Sequence, residues 1–255
     1  MSKTLYFIPG TMCDEQLWLP AWQLLREQYS ADYQLIHLVI PSVGSMEEVV
    51  SALSAQIIEN DAILIGFSLG GYIASAIALK LAHRLQHLVV VANFPKDLPL
   101  TEIKQRKRTI DWIKQRGYSG IPNKRIDDLL LPNIKHTNPC HYERIKQVIV
   151  AMDQKLGVDV LLHQLKVSMH RPSLVYSLTQ LTLPVTFLVG DTDGLVELGS
   201  LREELETALL PEPKQERTAQ YNVVLKEISN TGHMLPLESP QALATTLIDV
   251  LINEI

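Results

Sequence analysis

Residues 62–71 read Ala62-Ile63-Leu64-Ile65-Gly66-Phe67-Ser68-Leu69-Gly70-Gly71. Ala62 to Ile65 is short and apolar on both faces, which suits a buried parallel strand better than a half-exposed antiparallel one. From Leu69 to His83 the period changes, and Ile73, Ile77 and Leu81 recur at helical spacing. A strand therefore turns into a helix across Gly66-Phe67-Ser68-Leu69-Gly70. Glycines flank the serine because so tight a turn excludes larger side chains. The G-x-S-x-G pattern in this setting is a nucleophile elbow. It exposes the Ser68 oxygen at the head of a helix, where N–H groups and the helix dipole favour an anion.

The same alternation runs to both sides. Leu5 to Ile8 is an apolar run closed by Pro9-Gly10, and Leu17, Trp18, Trp22, Leu24 and Leu25 follow at near-helical spacing. Leu35 to Ile40 is a strand stopped by Pro41, Met46 to Ile58 a helix, and Leu88 to Ala92 a strand. Val185 to Val189, Leu198 to Leu209, Val223 to Ile228 and Ser239 to Ile255 then read strand, helix, strand, helix. Ser239-Pro240 offers an N-cap residue followed by proline at the first helical position. This predicts an α/β fold: a mostly parallel sheet of about six strands with helices on both faces.

Residues 94–183 are far too long for a strand-to-helix loop, which takes about 2–6 residues. They carry helical patterns of their own over Thr101 to Arg116, from Asn138-Pro139 to Gly157, and over Asp159 to Val167. The expectation is a helical cap at 94–183 over the C-terminal edge of the sheet, with a core domain made of 1–93 and 184–255. Charge marks the same segment. Lys96 to Arg171 holds 15 Lys/Arg against 8 Asp/Glu, while the remainder holds 8 against 20. Such a contrast fits a separate unit. Its densest run is Lys104, Arg106, Lys107 and Arg108, near Lys114 and Arg116, a surface suited to an anionic substrate or an acidic carrier.

The chain has 255 residues, 46% hydrophobic and 20% charged, without Gly/Ser or Pro tracts. That excludes disordered, collagen-like and coiled-coil classes. No apolar run approaches the roughly 18–20 residues of a membrane span. The apolar start is too short for a signal-peptide core. Cys13 and Cys140 make neither a disulfide framework nor a zinc site. A cytoplasmic protein is expected. A net charge of −5 argues against a dedicated nucleic-acid binder. No Walker loop, G-x-G-x-x-G or H-E-x-x-H occurs, so neither cofactor nor metal is expected.

Two further motifs stand just past strands. Gly190-Asp191-Thr192-Asp193-Gly194 offers two carboxylates, either of which could hold a histidine in the right tautomer. Gly232-His233 offers the residue type whose pKa best suits a general base near neutral pH. Seven other histidines exist; what singles out His233 is the order Ser, Asp, His, each at a strand end. Acyl transfer also needs two N–H donors for the developing oxyanion. Leu69, after the nucleophile, supplies one. The loop Pro9-Gly10-Thr11-Met12-Cys13-Asp14 supplies the other, read as Thr11 N–H. Cys13 has no basic partner nearby in sequence and is a poor rival nucleophile.

On these residues the chain resembles the α/β-hydrolase family over nearly its whole length. It is similar to compact, cofactor-free serine esterases, the pimeloyl-carrier-protein methyl esterases among them. In those the acid lies three residues after the glycine that ends its strand. The resemblance therefore implies Asp193 rather than Asp191. Arg171-Pro172-Ser173 to Leu183-Pro184-Val185 also resembles the exit from a family cap. The chain departs from the family in having Pro9-Gly10 where many members have His-Gly, and Val196-Glu197 where a proline usually follows the acid. The 40 residues from acid to histidine are also long, with 211–221 as the expected insertion. The resemblance implies a Ser68-His233-Asp193 hydrolase of esters or thioesters. The same triad could instead act on a lactone, an amide or a carbon–carbon bond, or in an elimination as in menaquinone-pathway members. A non-catalytic binding protein on this scaffold is the remaining alternative.

Overall fold

The computed structural model describes residues 3–30, 32–209 and 222–252. The insertion expected at 211–221 lies outside the described residues. The strands β1 (Lys3–Ile8), β2 (Tyr33–His37), β3 (Ala62–Phe67), β4 (Leu85–Val91), β5 (Val185–Gly190) and β6 (Val223–Ile228) form one sheet. Their order is β2-β1-β3-β4-β5-β6, and every neighbouring pair is parallel. The expected six-stranded parallel sheet is therefore present. β2 lies two residues earlier than its apolar run, because Tyr33 pairs with Lys3 at the start of β1. The run still contributes at its end, where Leu38 N–H donates to Phe7 O at 2.9 Å.

Side chains leave the sheet alternately, as the two-residue period of a strand requires. In β3, Ile63, Ile65 and Phe67 enter one core, and Ala62 and Leu64 the other. The first core packs under α1 (Leu19–Gln28) and α11 (Pro240–Ile252). The second packs under α2 (Met46–Ser54), α3 (Leu69–Leu81), α8 (Val175–Thr179) and α9 (Leu198–Leu209). Each large apolar side chain so buried contributes about 1.5–3 kcal/mol. α2 starts at a capping box, Ser45 and Glu48 each bonding the other's backbone N–H. It ends four residues before the expected Ile58; Gln56 and Ile57 continue only as tight turns, their N–H groups reaching back three residues.

Between β4 and β5 run α4 (Leu100–Arg116), α5 (Asn123–Leu129), α6 (Ile134–Thr137), α7 (Pro139–Val167) and α8. The two helices expected around Gly157 form one element, α7, interrupted at that residue. Gly157 takes φ 77° and ψ 175°, a left-handed conformation open to glycine. The insert does not stand apart from the sheet. Ile126, Ile134, Tyr142, Ile145, Ile149 and Met152 share the core that holds Trp18, Trp22 and Leu247. On α4 the cluster of basic residues is mostly exposed, but Arg106 turns inward to Glu102 and Ser168. Among the described residues no helix is long and apolar enough to cross a membrane.

The strand order places a switch point between β1 and β3. From β1 the chain moves to one side to form β2, then returns to build β3 on the other. Loops leaving the carboxyl ends of two such strands diverge and open a crevice, the usual ligand site of open α/β sheets.

Candidate active site

At the carboxyl end of β3, Ser68 takes φ 49° and ψ −117°. An L-residue rarely adopts a positive φ, and such strain persists only where surroundings enforce it. Here Ser68 N–H donates to Val91 O at 2.9 Å, pinning the turn to β4. The glycines are required by close approach. A Cβ on Gly66 would lie 2.2 Å from Gly70 O, and one on Gly70 would lie 2.2 Å from Ile8 O. Ser68 itself is only partly buried, beside largely buried neighbours.

His233 comes from the turn after β6. Its Nε2 lies 3.0 Å from Ser68 Oγ. Its Nδ1 lies 2.9 Å from Asp193 Oδ2 and 3.0 Å from Oδ1. The Asp193 side chain is fully buried, and its Oδ1 also accepts from the N–H groups of Leu195 and Val196. Asp191 points elsewhere: it is exposed and accepts from Thr231 N–H at 3.2 Å. It closes the turn between the two loops. The Phe67 ring lies 5.3 Å from the imidazole, tilted by 43°.

The loop after β1 packs hard against the elbow. A Cβ on Gly10 would meet the Phe67 ring at 2.7 Å and Ser68 Cβ at 3.1 Å. Thr11 is the next residue of this loop. Among the described residues, neither Thr11 N–H nor Leu69 N–H meets a protein acceptor. Met12 N–H does: it donates to Gln164 Oε1 of α7 at 2.9 Å, in a buried contact. Asp14 is tied to the same helix. Its N–H lies 3.4 Å from Met152 Sδ, and its carboxylate accepts from Lys155 Nζ at 2.6 Å. Burial raises the Asp14 carboxyl, but Lys155 and Gln16 outweigh it and hold the group below its usual range. Gln164 and Lys155 carried no signal in the sequence.

Cys13 is buried, and burial followed by the Asp14 charge pushes its thiol up to about 12. Its thiolate is inaccessible at neutral pH, which makes it a poor nucleophile. Among the described residues no group of three or more His, Cys, Asp or Glu is gathered as a metal site would require.

The arrangement is a chain of hydroxyl, imidazole and carboxylate beside free N–H groups at a sheet switch point. Solved structures share its fold. An esterase from Thermogutta terrifontis is 21% identical with a TM-score of 0.76, over 98% of this chain and 90% of that one. An enol-lactonase from Burkholderia xenovorans LB400 is 14% identical with a TM-score of 0.75, over 98% and 92%. MenH from S. aureus is 17% identical with a TM-score of 0.70, over 98% and 93%. At such identities the likeness is one of fold. No curated protein matches the chain. A model of the alpha/beta hydrolase family matches residues 5–246. That span runs from Leu5 within β1 to Thr246 within α11 and includes every loop of the site, and the chain belongs to the alpha/beta hydrolase family.

Proposed function

We propose that this chain is a serine hydrolase of carboxylic esters or thioesters. The observation that carries this reading is the unbroken run from Ser68 Oγ through His233 to Asp193, at 3.0 and 2.9 Å. His233 Nδ1–H donates to Asp193, which leaves Nε2 free to accept the Ser68 proton. Oγ then attacks the substrate carbonyl carbon, and the oxyanion receives hydrogen bonds from Thr11 and Leu69 N–H. Each such donor is worth about 10²–10³ in rate. Collapse of this intermediate breaks the bond to the alcohol or thiol, which takes the proton from His233. Water repeats the sequence on the acyl-enzyme: His233 removes its proton, the acid departs and Ser68 is protonated again. These steps need no metal or organic cofactor.

Residues 94–183 act as a cap in this reading, over a core of 1–93 and 184–255. The exposed charges of Lys104, Lys107, Arg108, Lys114 and Arg116 favour an anionic ester or an acidic carrier. Hydrolysis of a p-nitrophenyl ester tests the function. Wild type should turn it over, and Ser68→Ala should lose about 10⁴-fold or more. A fluorophosphonate should label Ser68 alone. Near wild-type rates for Ser68→Ala would end this reading.

A further inference from the structure

The turn that carries His233 is held from outside its own strand. His233 N–H and Met234 N–H both donate to the Leu129 carbonyl, at 2.9 and 3.2 Å, at the end of α5. In the opposite direction, Leu131 N–H donates to Glu238 Oε1 at 2.6 Å. Glu238 closes the short helix α10 (Leu235–Glu238), five residues beyond His233. The segments meet backbone to backbone: a Cβ on Gly232 would lie 2.5 Å from Leu131 N and 3.0 Å from Glu238 Oε2. Oε2 is buried and makes no hydrogen bond. Nothing in the catalytic steps uses this carboxyl.

Its charged surroundings are few. His233 and Asp193 act on it electrostatically, with opposite signs. His141 of α7 places Nε2 3.4 Å from the Glu238 carbonyl oxygen, not from the carboxyl. On α5, Asp127 bonds Tyr142 and faces Lys135, and Asp128 attracts Arg125. On α1 and α11, Arg26 lies over the Trp22 ring, Glu27 bonds Gln23, and Asp249 pairs with Lys226.

We propose that Glu238 is a positioning residue for His233: its carboxylate fastens the Gly232–His233 turn to Leu131 and adds a negative charge that favours the imidazolium formed in turnover. The proposal rests on reading His233 as the general base. The charge effect needs the ionised form, and the bond from Leu131 N–H is stronger with it. Burial pushes the carboxyl up to about 7, against the Leu131 N–H and the His233 ring, which pull it down. Below that pH the group is neutral and both effects weaken; above it they are restored. Turnover therefore gains a rising step near neutral pH.

The test joins an NMR titration to a pH–rate profile. In wild type the Glu238 carboxyl ¹³C signal should inflect near pH 7, far above an ordinary glutamate. The rate profile should rise across the same pH, and Glu238→Gln should lose that step. Its kcat for a p-nitrophenyl ester should fall about 5–10-fold near pH 8, with KM within about twofold. The gap should narrow near pH 5.5, where the wild-type carboxyl is also neutral. A variant-to-wild-type ratio that is flat with pH, or a Glu238 that titrates like an ordinary glutamate, overturns the proposal. If Glu238→Gln does not fold, the wild-type titration decides alone, and absence of a carboxyl inflection near pH 7 overturns the proposal. The titration requires no turnover, so failure of the esterase reading would appear in the rates and not in the spectra.

Discussion

Asp191 and Asp193 stand two residues apart on one loop, yet their carboxylates meet different partners. Asp193 reaches the imidazole and is sealed from solvent, whereas Asp191 accepts a backbone N–H and lies exposed. Replacing Asp193 by Asn presents an amide to Nδ1 and favours the wrong tautomer, which should cost about 10³–10⁴ in kcat. Asp191→Asn keeps an oxygen for Thr231 N–H and should change kcat less than about threefold. Steady-state kinetics of the two variants check the assignment, and the reverse ranking would move the acid role to Asp191. Sequence reading alone left these two carboxylates level; the family resemblance separated them.

Among the elements, α7 holds the loop after β1 at Asp14 and, through one buried amide, at Met12. Met12 has φ 55°, and its N–H is satisfied only because Gln164 reaches it from 152 residues away. Gln164→Leu would strand that N–H in the interior, at a cost of about 1–3 kcal/mol in urea unfolding. If Thr11 N–H serves the oxyanion, the loosened loop should also lower kcat more than it raises KM. Lost stability with unchanged kcat would show that the loop keeps its shape without α7. The strands were legible because buried parallel strands are continuous apolar runs, and here Pro9, Gly10 and Pro41 close them. Ser68 and His233 stood out as candidates because each follows a strand, whereas position alone did not divide Asp193 from Asp191. The short helices α5, α6, α8 and α10 were not, since 4–7 residues span too few turns for a period to emerge. Gln164 and Glu238 were invisible for another reason. Their partners lie 152 and 107 residues away, and no local spacing records such a contact.

For the whole molecule, two buried groups set opposing pH dependences. Burial, aided by the Lys226 charge, holds His87 down to about 4, so it stays neutral against Thr186. Its unfolded-state value is near 6.5. The unfolded chain therefore binds the extra proton as pH falls below 6.5, and stability is lost toward pH 4. Glu238 works the other way: its folded value is raised, so its contribution is whole in acid and is lost as pH rises from the ordinary glutamate range, about 4.3, to about 7. His87→Asn should accordingly gain about 2–3 kcal/mol on wild type between pH 7.5 and pH 4.5, by urea unfolding at each pH. A constant difference would mean that His87 is hydrated in the fold. Surface charge gives a second test. Charge reversal at Lys107 and Arg108 should lower kcat/KM for an anionic ester and spare a neutral one, with the effect fading as salt rises. Equal effects on both esters would reduce the basic stretch to ordinary solvated surface. The attachments of the insert bear finally on how chains of this kind could be recombined. Leu129 O, Leu131 N–H and the Gln164 amide all lie within residues 94–183, and they hold the histidine turn and the loop after β1. A chimera that exchanged the segment wholesale would inherit an intact sheet with the histidine turn and the loop after β1 slack. Retuning this chain toward new substrates therefore calls for point changes that leave those three anchors in place.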